Sequence, residues 1–355
     1  MDNYDDRLIH GGDARGFLAR YGVAPLDFSA NINPLGVPEE VHRAICAAAQ
    51  GADRYPDPLC RDLREAIAKS EGVSSEQVFC TAGAAEIIYR LAAALRPKLA
   101  LIPMPTFSEY ALALTRQGCA IERHLLKAED DFALTPAILP QLRAGVDLLF
   151  LCNPNNPTGR RIDSALLAEI LRRCAEYNIR LVVDECFLGF TPRPETRTLV
   201  PMLPQYKKLL LLKAFTKLYG MAGVRLGYCL SDDAALLRRL YEAGPPWNVS
   251  SLAQQAGIAA LTAQDYLEAG RTMVAAERAR LHAALATLGF RVIPSEANYI
   301  LFFSPAPQLG ERLCQKGVLI RNCANFEGLY KGWYRVAVRT PQENDRLLAA
   351  VGACL

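Results

Sequence analysis

Between Gln77 and Ser231, short apolar runs alternate with amphipathic stretches, and that alternation leaves few architectures open. The runs are QVFCTA (77–82), KLALIP (98–103), AIERHLL (120–126), DLLFLC (147–152), RLVVDE (180–185), KLLLLK (208–213) and RLGYCL (225–230). Between them, GAAEIIYRLAAALR and SALLAEILRRCAEYN carry apolar residues at helical spacing. Strand–helix alternation of this kind predicts an α/β layer with a mostly parallel sheet. KLLLLK has no polar face, as expected of a central strand covered on both sides. After Ser231 helical patterns dominate to about Gly289, including a long one from Asp265 to Leu288. RVIP, NYILFF, GVLIRNC and WYRVAVR follow, then a last helix, which predicts a smaller α+β domain. FSANINPLGVPEEVHRAI (28–45) reads as a turn-rich segment entering a helix with Pro38 near its first turn. The segment before it lacks a core of its own and is expected to pack on the smaller domain. The predicted division is an N-terminal arm over 1–35, a large domain over 36–245 and a small C-terminal domain over 246–355.

A chain of 355 residues with a hydrophobic fraction of 51% has enough apolar surface for such a pair of domains. Charged residues make up 22%, the net charge is +3, and the signs are mixed along the chain, which argues against a nucleic-acid or polyanion binder. The eleven cysteines form no C-x-x-C pair and fall mostly in apolar segments, so reduced thiols are expected rather than a metal or disulfide site. MDNYDDRLIHGGDARG, at the N-terminus, has no apolar signal region, and no run approaches the ~20 apolar residues that span a bilayer. A soluble, cytoplasmic protein is the expectation.

The strand ends carry the chemistry. DLLFLC runs into NPNNPTG, RLVVDE delivers Asp184 and Glu185, and KLLLLK leads to Lys213 and Lys217. In open α/β sheets ligands collect beyond the carboxyl ends of the strands, so an amide, an acid and an amine are aimed at one crevice. Lys217 and Arg225 lie in AFTKLYGMAGVRLGY, a stretch with no carboxylate to pair either cation. An anionic cofactor answers both: pyridoxal phosphate bonds covalently to an amine, needs an acid at its pyridine nitrogen and an amide at its phenolic oxygen. TAGAAE (81–86) offers backbone N–H groups at a helix start to a phosphate, with Arg225 beside it.

Several motifs then occur together in one order: HGG (10–12), LDFSANINPLG (26–36), RYPDP (54–58), CNPNNPTG (152–159), VVDECF (182–187), TKLYGMAGVRLGY (216–228), PPWNVSSLAQQAG (245–257), IRNCAN (320–325) and YRVAVR (334–339). Through them the chain resembles, over nearly its whole length, the fold-type I pyridoxal-phosphate enzymes of the aspartate aminotransferase superfamily. Within it the motifs are most similar to the threonine-phosphate decarboxylases of cobalamin synthesis, close relatives of the histidinol-phosphate aminotransferases. The resemblance implies that Lys217 is the covalent anchor, Asp184 the partner of the pyridine nitrogen and Asn156 that of the phenolic oxygen. It implies that Phe107 stacks on the ring, and that Gly83, Ala84, Ala85, Thr216 and Arg225 hold the phosphate. Tyr55 would reach the phosphate of a neighbouring subunit, which implies a homodimer with shared sites. Arg335 would grip the substrate carboxylate, and Arg321, His10 and Asn33 would help bind its phosphate or carboxylate. One position departs from the pattern: the family places serine or threonine three residues before the lysine, and this chain has Ala214.

The implied reaction is decarboxylation of O-phospho-L-threonine to (R)-1-aminopropan-2-yl phosphate. O-phospho-L-serine, one methyl smaller, remains an open variant, since a methyl in an apolar pocket discriminates by only ~1–3 kcal/mol. Phe187, three after Asp184, follows the decarboxylase pattern where the aminotransferases carry tyrosine; aminotransfer on histidinol phosphate is the alternative. Lys213 is expected at a solvated strand end, and His42, His124 and His282 on the surface or on helix faces.

Overall fold

The computed structural model describes residues 10–355; Met1–Ile9, the first part of the expected arm, lie outside the described residues. All seven apolar runs form strands of one sheet: β2 (Val78–Thr81), β3 (Leu99–Met104), β4 (Ala120–Leu125), β5 (Leu148–Cys152), β6 (Arg180–Asp184), β7 (Leu209–Ala214) and β8 (Gly227–Leu230). β1 is a two-residue strand, Leu26–Asp27, considered below. The order in the large sheet is β2-β8-β7-β6-β5-β3-β4, and β8 runs opposite to the other six strands.

The texture of KLLLLK is explained by what covers it. Leu209 and Leu211 face one layer, with Leu63, Ile67, Leu167, Ile170 and Ala253 from the helices Arg61–Glu71, Ser164–Glu176 and Ser251–Ala260. Leu210 and Leu212 face the opposite layer, with Ile87, Leu91, Tyr110 and Leu236 from the helices Ala84–Leu95, Glu109–Thr115 and Ala234–Glu242. A strand buried on both faces has no position where a polar side chain is favoured. The same period of two decides where each strand-end side chain goes.

A second sheet has the order β12-β13-β10-β9 and is antiparallel: β9 (Arg291–Val292), β10 (Tyr299–Phe303), β12 (Arg321–Asn322) and β13 (Trp333–Ala337). β11 (Val318–Leu319) pairs instead with β1, in parallel, so GVLIRNC is divided between two sheets. The long helix Gln264–Thr287 and the last helix Pro341–Gly352 cover this sheet through Val274, Leu281, Leu285, Leu347 and Val351. Phe28, just after β1, is fully buried in the same cluster. Among the described residues no helix is long and apolar enough to cross a membrane, and the eleven cysteines are all unpaired thiols.

Candidate active site

Beyond the carboxyl ends of β5, β6 and β7 opens a cavity of about 510 Å³ lined by Asn156, Asp184, Thr216 and Lys217. Asp184 shares strand parity with Val182, so it faces the layer of the helix Glu109–Thr115. There Tyr110 Oη donates to Asp184 Oδ2 at 2.6 Å, and the Cys186 N–H donates to Oδ1 at 2.9 Å. Burial, and then the Asp184 charge, push the Tyr110 phenol well above its ordinary value, so it remains a donor. Lys217 comes from the short helix Phe215–Leu218 after β7. Burial lowers its amine to about 8, and Arg335 adds to that; Cys186 and Asp184 act in the other direction. A buried amine so depressed is nucleophilic near neutral pH.

The other end of the cavity is a cradle for an anion. The helix Ala84–Leu95 starts after Gly83, at φ +95°, and no side chain caps it. A Cβ at Gly83 would stand 2.6 Å from Arg225 Nη2, so only glycine lets the guanidinium lie against the helix start. Arg225 itself has φ +60°, a strained backbone for a non-glycine residue, and its Nη1 donates to the Ala222 carbonyl at 3.1 Å. Ala84, Ala85 and Thr216 line the same end. Ala214 also lines it, and contributes a methyl group where a hydroxyl would donate.

Arg335 is buried and fixed from three sides. It donates to Asn156 Oδ1, to the Ser29 carbonyl at 2.8 Å, and at 3.2 Å from both Nη1 and Nε to Asn31, whose amide is oriented by this network. Its face lies 5.4 Å from the Tyr299 ring. Arg321 pairs directly with Arg335 across the β12–β13 ladder. Its Nη2 donates to Asn325 at 2.7 Å, and its guanidinium lies 5.3 Å over the Phe326 ring. Burial lowers both guanidinium pKa values, and Arg335 lowers that of Arg321 further.

Phe107 and His10 also line the cavity, their rings 5.5 Å apart. Three expected residues are not in the cavity wall: Gly83, which sits behind Ala84 at the helix start, Asn33 and Tyr55. Asn33 is buried, but its Nδ2 donates to the Leu218 carbonyl at 2.8 Å, its Oδ1 accepts from Leu35 N–H, and it is not in the cavity wall. Asn31, two residues earlier, lines the cavity instead. Tyr55 is 83% exposed, its ring 5.0 Å from that of Trp247 and tilted 35° to it, away from this chain's own cavity. Lys213 is not solvated, a correction with a clear cause. It shares the Leu209–Leu211 parity, and on that face Glu71 lies at 2.7 Å and Glu185 at 3.4 Å from its amine. Burial alone would lower that amine; Glu185 and Glu71 outweigh it and the pKa is raised. Sequence reasoning also missed Tyr110, Glu109 and Asn31, although PTFSEY and FSANIN carry them.

These residues fit pyridoxal 5′-phosphate. The helix start at Gly83 with Arg225 would suit its phosphate, Asp184 its ring nitrogen, Asn156 its phenolic oxygen and the Lys217 amine its aldehyde. The family profile "Aminotransferase class I and II" matches residues 24–351. The chain is 40% identical to the threonine-phosphate decarboxylase of Salmonella typhimurium over 96% of its own length and 95% of that protein's. It is 35% identical to the histidinol-phosphate aminotransferase of Symbiobacterium thermophilum, over 92% and 89% of the two chains. The crystal structure of the histidinol-phosphate aminotransferase from Clostridium acetobutylicum superposes with a TM-score of 0.86 at 28% identity, covering 92% of this chain and 98% of that one. With the sheet, the cavity and the profile in agreement over nearly all of its length, the chain belongs to the class I and II aminotransferase family.

Proposed function

We propose that the protein is a pyridoxal-phosphate-dependent decarboxylase of O-phospho-L-threonine, with cobalamin biosynthesis as its setting and the cytoplasm as its location. The observation that carries the reading is the facing pair Arg321 and Arg335 at the wall of a cavity that also holds Lys217 and Asp184. Two guanidinium groups directly opposite one another repel, and a substrate with two anionic groups relieves that. A phosphorylated amino acid has a carboxylate and a phosphate. The 40% identical relative carries the name of this activity, and the relative named as a histidinol-phosphate aminotransferase is 35% identical.

When bound, the cofactor supplies an electron sink for the pair of electrons left at the substrate Cα. In this reading Asp184, held by Tyr110, keeps a proton at the ring nitrogen, and Asn156 orients the phenolic oxygen. Gly83, Ala84, Ala85, Thr216 and Arg225 bind the cofactor phosphate, and Phe107 covers the ring face. Arg335 grips the substrate carboxylate; Arg321 and His10 take the phosphate. Which bond at Cα breaks depends on which stands perpendicular to the ring, so a grip that holds the carboxylate upright would select carbon dioxide loss over proton loss. Lys217 then delivers a proton to Cα. Tyr55, exposed here, would meet the cofactor phosphate of a second copy in a homodimer. The division into an arm (1–35), a large domain (36–245) and a small domain (246–355) belongs to the same reading.

Incubation with O-phospho-L-threonine, without a keto acid, tests it. Release of carbon dioxide is expected; amino transfer that requires 2-oxoglutarate, with no carbon dioxide, supports the aminotransferase instead.

A further inference from the structure

Glu109 is a buried carboxylate in the cavity wall that the reaction above does not use. It comes from the first turn of the helix Glu109–Thr115. Its Oε2 accepts from Tyr89 Oη at 2.6 Å, and its Oε1 lies 2.6 Å from His10 Nε2. Tyr89 is itself held from behind by Arg116, whose guanidinium lies 5.4 Å over the ring. Burial, and then Glu109, push the Tyr89 phenol up to about 12, so it remains a donor to the carboxylate. Glu109 therefore has one oxygen fixed by the large sheet's helices and one offered to the N-terminal segment.

What it holds is a closely fitted strap. Gly12 N–H donates to Ser29 Oγ at 2.8 Å, and Ser29 Oγ donates in turn to Asp27 Oδ1 at 2.7 Å. A Cβ at Gly11 would stand 2.5 Å from the Ser29 carbonyl oxygen, so only glycine lets the strap lie this close. Gly12 adopts φ +94°. The HGG sequence thus has a mechanical reading: two glycines bend the chain onto Ser29, and the histidine before them is delivered to the cavity. There its ring meets Phe107 on one side and Glu109 at Nε2. An Nε2–H donated to a carboxylate fixes the ring's orientation and leaves Nδ1 as the nitrogen that can meet a ligand.

We propose that Glu109 is a positioning residue, which holds His10 and the strap behind it against the cavity so that the imidazole helps close the site over the substrate's anionic end. The proposal rests on the functional reading for the identity of that substrate, but the holding itself does not depend on it. Glu109→Ala, Glu109→Gln and Tyr89→Phe, made in the full-length protein with its cofactor bound, test both parts. Hydrogen exchange at the Gly12 amide needs no substrate; it is expected to be about tenfold faster in Glu109→Ala and near native in Glu109→Gln, whose oxygen can accept from His10 while its NH2 donates to the Tyr89 hydroxyl oxygen. With O-phospho-L-threonine, Glu109→Ala is expected to raise KM about tenfold while kcat changes less than threefold, and Glu109→Gln to restore most of the loss. Tyr89→Phe should give an intermediate KM. Unchanged exchange at Gly12 in Glu109→Ala overturns the proposal, as does a fall in kcat with KM unaltered. If the unsubstituted protein releases no carbon dioxide from this substrate, the functional reading fails while the exchange result still decides the role of Glu109.

Discussion

Arg321 and Arg335 occupy directly opposed positions of the antiparallel β12–β13 ladder, two like charges side by side at the wall of one cavity. Such a pair is destabilising by itself. Arg335 is held by Asn156, Asn31 and the Ser29 carbonyl, none of which carries a charge.

Removing either guanidinium should therefore weaken substrate binding and at the same time relieve repulsion in the empty protein. A hydrogen bond to a charged group contributes about 1.5–3 kcal/mol. Arg335→Ala and Arg321→Ala are each expected to raise KM for O-phospho-L-threonine by roughly ten- to a hundredfold. Thermal unfolding adds a second measure: inorganic phosphate should raise the melting temperature of the native protein more than that of either variant.

Lys213 is the cation of a buried cluster on the face of the sheet away from the cavity, with Glu71, Glu185 and Tyr228, whose hydroxyl donates to Glu71. Glu185 immediately follows Asp184, so the cluster ties the ends of β6 and β7 together behind the site. Lys213→Met leaves two carboxylates without their cation. Breaking a buried pair in this way costs about 3–5 kcal/mol. Chemical denaturation should show a loss of that size, and the double variant Lys213→Met with Glu185→Gln should recover part of it.

The contrast between Lys213 and the rest of its strand shows what a sequence carries and what it does not. The central strands were legible because a strand buried on both faces is apolar along its length, and the edge strand β4, with Glu122, Arg123 and His124, from its place in the alternation. Lys217, Asp184, Asn156 and Arg225 were legible because strand ends and a glycine-rich helix start concentrate in a few short stretches. The surroundings of Lys213 were not, since its counter-charge Glu71 lies 142 residues earlier in the chain. The choice between Asn31 and Asn33 depended on which way a turn directs two amides, and one of them is taken by the Leu218 carbonyl. GVLIRNC looks like one strand; only the packing of β1 beside β11 divides it.

Ala214 places a methyl group in the cavity wall, at the end proposed for the cofactor's phosphate. Ala214→Ser adds a donor to a dianion, and one such hydrogen bond is worth about 1.5 kcal/mol or more. Titration of the apoprotein with pyridoxal phosphate, followed by absorbance, should give a dissociation constant about tenfold lower for Ala214→Ser. An unchanged constant would mean that another donor already serves that oxygen.

Lys217 should leave a signature in the pH dependence of apoprotein stability. Its amine is lowered from an ordinary 10.5 to about 8 in the folded chain. Between those two values the unfolded chain holds the proton and the folded chain does not, so stability rises with pH through that window. Below about pH 8 the folded protein must keep a charge that burial disfavours. At about 1.4 kcal/mol per unit, the gain across the window is about 3 kcal/mol. Subtracting the curve of the Lys217→Met apoprotein from that of the native apoprotein should isolate it; parallel curves would contradict the depressed amine.

The central claim concerns the bond that breaks at Cα, and the product formed in heavy water reports on it directly. With O-phospho-L-threonine in D2O and no keto acid, the protein should give (R)-1-aminopropan-2-yl phosphate bearing one non-exchangeable deuterium at C1, with one carbon dioxide per product and no turnover by Lys217→Ala. Substrate recovered with deuterium at Cα and its carboxylate intact, or an oxo acid formed only when 2-oxoglutarate is present, would contradict the account.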